Sequence, residues 1–180
     1  MHSFSEGDRL KARHGRQAAE AREAVPGEFT GADFPLAVVQ IDHTKLDLIL
    51  VDETGRQPIG RPWITLAIDV YSRMAVGYHI SLDPPGMTSV ALCLVHVILP
   101  KDVWLAGHNL DVRWPCWGLP NAVHADNARE FRGNALRRAC EQYGIHLEWR
   151  PVKKARYGAH IERLMGTLLQ EIHTLLRTPV

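Results

Sequence analysis

The spacing of apolar residues changes abruptly at Leu36. Before it, residues 1–35 are polar and rich in Ala, Arg and Glu. Asp8 to Val25 fits a solvated helix ended by Pro26-Gly27, but no apolar stripe runs along it. This segment reads as an N-terminal arm or linker, and residues 36–180 as one core domain. Beyond Leu36 the pattern is that of strands. AVVQIDHTKLDLILV (37–51) is long and β-branched, DETGRQPIGR (52–61) is a turn-rich loop, and PWITLAIDVYS (62–72) is a second strand. Ser72-Arg73 turns the chain into MAVGYHIS (74–81), which predicts an antiparallel meander of three strands.

The period then lengthens. TSVALCLVHVIL (88–99) follows the break at Asp83-Pro84-Pro85-Gly86 and is apolar on nearly every face, which predicts a buried helix with Thr88 or Ser89 as N-cap and Pro100 as its stop. Residues 101–120 hold three of the five tryptophans with Pro115, Gly118 and Pro120, and read as an irregular connection. NAVHAD (121–126) is a short strand, Arg132 to Tyr143 a helix ended by Gly144, and IHLEWRPV (145–152) a further strand. The last element starts near Ala159. Its apolar residues Ile161, Leu164, Met165, Leu168, Leu169, Ile172, Leu175 and Leu176 recur at the spacing of one helical face. Three antiparallel strands followed by a helix and β-α-β predict an α/β fold: a mixed five-stranded sheet flanked by helices.

Composition changes this picture little. A chain of 180 residues with 46% apolar content can bury one sizeable core. Cys93, Cys116 and Cys140 form no CxxC pair and suit a reduced, cytoplasmic protein. The ten histidines include no HExxH, and no apolar run is long enough to span a membrane. Charge is uneven. Residues 1–126 carry 11 Lys/Arg against 15 Asp/Glu, and residues 127–180 carry 10 against 5. A basic rim around acidic residues suits a polyanion led to a metal site; the alternative is a solvated face of scattered charges.

Three acids stand where carboxylates are costly. Asp42 and Asp126 lie on Val/Ile-rich strands, and Glu162 follows Ile161 by about 100° of helical turn, at the edge of the apolar stripe. Three carboxylates brought together repel until divalent cations neutralise them. Mg²⁺ takes oxygen ligands of this kind, and two such ions about 4 Å apart serve phosphoryl transfer by in-line displacement.

These motifs in this order carry a resemblance. QIDHT, a strand ending AIDVYSR, HADNAREF, and a glutamate 35 residues beyond the second aspartate together resemble the catalytic core of the retroviral-integrase superfamily, most closely the bacterial DDE transposases, over residues 36–176. The resemblance implies an RNase H-like fold, with Asp42, Asp126 and Glu162 as catalytic ligands of two Mg²⁺ or Mn²⁺ ions. It implies nicking at transposon ends and attack of the freed 3′-hydroxyl on target DNA, by a homo-oligomer assembled on DNA. Asn127 fits the family's Asp-Asn pair as a supporting residue; Ala128 departs from the usual glycine.

Lys153, Lys154 and Arg156 in the loop before the last helix, with His160 and Arg163 beside Glu162, are candidates to grip DNA phosphates. Asp69, at the end of a strand, competes with the triad but suits a turn acceptor; Asp47 and Asp52 read as edge or turn charges. The chain carries no zinc-binding or helix-turn-helix module and is expected to be an isolated core. Two rival readings are an RNase H-like nuclease and a non-catalytic DNA-binding assembly module.

Overall fold

The long apolar run that opens the domain does not remain one strand. The computed structural model describes residues 31–125, 134–149 and 159–177. In it, β1 (Val38–Lys45) ends early, and β2 (Leu50–Val51) pairs instead with β3 (Pro58–Gly60) in a separate two-stranded ribbon. The cause is a contact that the apolar run cannot reveal. Leu46 is buried and donates its N–H to Pro62, while Arg61 binds the Leu46 carbonyl and the Asp47 carboxylate, each at 3.0 Å. Together they fix a corner.

β4 (Trp63–Asp69) and β5 (Ala75–Ser81) complete the antiparallel meander, and β6 (Ala122–Ala125) and β7 (His146–Trp149) add two parallel strands. The sheet order is β5-β4-β1-β6-β7. This is the mixed five-stranded sheet expected, with β1 as the strand where antiparallel and parallel pairing meet.

Helices cover both faces. α1 (Met87–Ile98) and α3 (Asn134–Gln142) bury Val90, Cys93, Val97, Leu136 and Cys140 against Val39, Ile41, Ala67, Val123 and Ala125. α4 (Ala159–Arg177) covers the other face, where Ile161 and Met165 meet Leu66 and Ile68. α1 departs from expectation in two ways. Its N-cap is Gly86 rather than Thr88 or Ser89; Ser89 sits one turn in and its hydroxyl accepts the Gly86 N–H. It is also not buried all round, since Leu92 and Val95 face outward. Only one side of a helix can meet a sheet.

The connection after α1 holds a short helix, α2 (Asp102–Gly107), where no regular element was expected. Lys101, just before it, is 1% exposed and donates Nζ to the carbonyls of His96 and Leu99, closing the C-terminus of α1. Burial holds its ammonium below the usual lysine range. Trp114 Nε1 donates to the Ala75 carbonyl at 2.8 Å, and His96 Nδ1 lies 3.2 Å from the Tyr78 carbonyl, so side chains cover part of the free edge of β5. At the end of α3, Gly144 takes φ +71°, the Gly144 N–H reaches the Glu141 carbonyl and the Ile145 N–H reaches Cys140. This pair of hydrogen bonds terminates the helix where the sequence predicts.

The helix expected at Asp8 to Val25 lies outside the described residues. Among the described residues no helix is long and apolar enough to cross a membrane.

Candidate active site

Asp42 sits in the second half of β1, half-buried, directly opposite Leu66 of β4. Directly paired residues on neighbouring strands share a face of the sheet. Because Leu66 packs with Ile161 of α4, Asp42 lies on the face that α4 covers. Its Oδ1 accepts the His43 N–H at 2.9 Å. Glu162, the residue after Ile161, stands exposed in the first turn of α4, where the helix dipole favours an anion. The two acids therefore border one seam between helix and sheet. Arg163 beside Glu162 is exposed.

On its parallel side, β1 pairs with β6 up to Ile41 opposite Ala125. Asp126 and Asn127, next in the chain, lie outside the described residues, as do Lys153, Lys154, Arg156 and the side chain of His160. Among the described residues no three His, Cys, Asp or Glu side chains gather as a metal site. What the described donors offer fits a hard cation. Asp42 and Glu162 present carboxylate oxygens, the ligand type Mg²⁺ and Mn²⁺ take. The three cysteines are free, and burial pushes all three thiols up.

The competing acids are accounted for. Asp69 is 1% exposed and accepts hydrogen bonds from the Leu36, Tyr71 and Ser72 amides and from the Ser72 hydroxyl. It stands opposite Val39, on the face covered by α1. That is the reverse face from Asp42. Asp47 pairs with Arg61, and the Gly55 and Gln57 amides hold the Asp52 carboxyl below the usual range at the tip of the ribbon.

One arrangement escapes sequence reasoning. Gln40 of β1, His124 of β6 and Glu148 of β7 stand side by side across three parallel strands. His124 Nε2 lies 2.9 Å from Glu148 Oε2. Gln40 is fully buried and His124 is 6% exposed. The available signal was the shared order polar–apolar–Asp in Gln40-Ile41-Asp42 and His124-Ala125-Asp126.

Strand order, the central change from antiparallel to parallel pairing, and helices on both faces define an RNase H-like core. The family described as the TnsB C-terminal domain matches residues 40–178. This chain is 32% identical over 136 residues to the transposase for transposon Tn552 of Staphylococcus aureus, covering 76% of this chain and 26% of that protein. It is 30% identical over 136 residues to the transposon Tn7 transposition protein TnsB of Escherichia coli, covering 73% of this chain and 19% of that one. A chain of the simian T-cell lymphotropic virus intasome, solved with the PP2A regulatory subunit B56 gamma, superposes with a TM-score of 0.50 at 14% identity. That match covers 82% of this chain and 45% of the other, and speaks to the fold alone. The chain belongs to the TnsB C-terminal domain family of transposases. It spans about a quarter or less of the length of these relatives.

Proposed function

We propose that this domain is the catalytic core of a DNA transposase, with Asp42, Asp126 and Glu162 holding two Mg²⁺ or Mn²⁺ ions. The observation that carries the proposal is the parallel register of β1 and β6. Pairing runs to Ile41 and Ala125, and the next residue in each segment of chain is an aspartate. Glu162, on the helix covering the same face as Asp42, supplies the third carboxylate. When bound, the ions supply Lewis-acid activation of the attacking oxygen and stabilise the leaving one. The substrates are transposon-end DNA, nicked to free a 3′-hydroxyl, and target DNA, which that hydroxyl joins. Asn127 orients the Asp126 carboxylate, and the domain works as a homo-oligomer on DNA. The matched relatives, named for transposition, favour this reading over an RNase H-like nuclease or a non-catalytic module.

The test is metal-dependent stability. Mn²⁺ should raise the melting temperature of the wild-type chain by binding the folded state, and Asp126→Asn should blunt the rise. Equal shifts in both proteins reject the site.

DNA binding is a separate matter. Lys153, Lys154, Arg156, His160 and Arg163 form the DNA-gripping set of this proposal. Changing Lys153, Lys154 and Arg156 together to alanine should weaken binding to every DNA sequence. The slope of log K against log salt should flatten by about 0.9 for each phosphate that is no longer neutralised. An unchanged slope, read from fluorescence anisotropy at several salt concentrations, assigns these residues to surface charge only.

A further inference from the structure

The row formed by Gln40, His124 and Glu148 is chemically out of place. It crosses a sheet whose neighbouring position, Ile68 opposite Gln40, is apolar, and two of its three members are withdrawn from water. Apolar side chains there would pack without any desolvation cost, whereas a buried amide and imidazole must be satisfied by hydrogen bonds. The row's place suggests its use. Residues two apart on a strand share a face, so Gln40 lies directly behind Asp42, on the face that α4 covers. His124 stands at the same interval before Asp126 in the chain.

We infer that Gln40, His124 and Glu148 form a positioning layer for the metal-binding acids, an inference that rests on the proposed site. His124 Nε2 donates to Glu148 Oε2, which fixes the tautomer and rotation of the imidazole from the exposed edge of β7 inward. A ring locked in this way, and a fully buried amide beside it, allow the ends of β1 and β6 one side-chain arrangement. The Asp42 carboxylate, two residues further along β1, then starts from a fixed position, and Asp126 follows His124 at the same interval in the chain. The three residues touch neither substrate nor ion; they act through Asp42 and Asp126.

Glu148 offers a clean test because its side chain is 60% exposed, so its loss does not empty the core. Mn²⁺ affinity is measured by titration calorimetry on the wild-type chain and on Glu148→Ala, Glu148→Gln, His124→Leu and Asp42→Asn, with metal-free melting temperatures alongside. Glu148→Ala and His124→Leu should each lower Mn²⁺ affinity about tenfold, the usual cost of losing an outer partner of a metal site. The metal-free melting temperature of Glu148→Ala should fall only by the loss of one hydrogen bond to His124, with water reaching the exposed Glu148 position, and the protein should stay folded at the titration temperature. Glu148→Gln, which still accepts the His124 N–H, should keep nearly full affinity, a rescue that a merely structural row would not show. Wild-type affinity in Glu148→Ala, with Asp42→Asn still impaired, overturns the positioning layer and leaves the metal site standing. Wild-type affinity in Asp42→Asn overturns the site, and the layer with it.

Discussion

Glu162→Gln should reduce strand transfer, by a transposase carrying this domain, about a hundredfold or more, on the scale seen when one fixed stabiliser of transition-state charge is removed. The fold should not notice. Glu162 is exposed in the first turn of α4 and contributes nothing to the cluster of Leu66, Ile68, Ile161 and Met165. Glutamine keeps its volume and helix propensity. Ile161→Ala, one residue earlier, should do the reverse. It empties a position that is 0% exposed and should cost about 2–5 kcal/mol of stability, while Mn²⁺ affinity survives in the folded fraction. Strand-transfer assays and denaturant melts on the two variants separate the roles. Near-normal strand transfer by Glu162→Gln would place the third ligand elsewhere. Asp69 is a poor substitute for it, being saturated with donors on the opposite face of the sheet.

Gly77→Ala should be the most damaging small change in the sheet. A Cβ at Gly77 would stand 2.7 Å from Val97 Cγ2, 2.9 Å from the Val97 amide nitrogen and 3.0 Å from the Cys93 carbonyl oxygen. A side-chain methyl can rotate aside, but the backbone of a helix cannot. α1 must therefore lift from β5, loosening Val76, Val90, Cys93 and Val97 together. The expected loss is about 3 kcal/mol, the upper end for overpacking a core. Val97→Ala added to Gly77→Ala should fail to restore stability, because both backbone clashes remain. A double mutant that melts like the Val97→Ala single mutant shows that α1 yields more easily than this geometry implies.

Much of this architecture was legible in the sequence. Among the described residues, the sequence pattern located the five strands of the main sheet and three of the four helices, and Gly144 and Pro100 marked helix ends. The resemblance carried by QIDHT, HADNAREF and Glu162 reached the right family. What stayed hidden depended on contacts between distant segments. The apolar run continues through Leu48 to Val51, so nothing local announces that Arg61 will seize the Leu46 carbonyl and end β1. The apolar composition of α1 suggests burial on all sides, yet Leu92 and Val95 face away from the sheet. The row from Gln40 to Glu148 exists only once three parallel strands are in register. Asp69 was readable for the opposite reason, since the turn donors at Tyr71 and Ser72 that occupy it are its near neighbours in sequence.

The place of β1 between an antiparallel and a parallel neighbour also fixes an order of assembly. Ile68 finds Ala75 across a short hairpin, whereas Val38 must wait for Ala122, 84 positions further along the chain. Closing so long a segment is entropically slower than closing a hairpin. On a ribosome, the meander and α1 can gather before β6 has been synthesised. Pulsed hydrogen exchange during refolding should therefore protect the β4 and β5 amides before those of β6 and β7, and simultaneous protection would contradict this order. A nascent chain thus carries Asp42 on a formed meander well before Asp126 has been synthesised, and the proposed site stays incomplete until β6 joins the sheet.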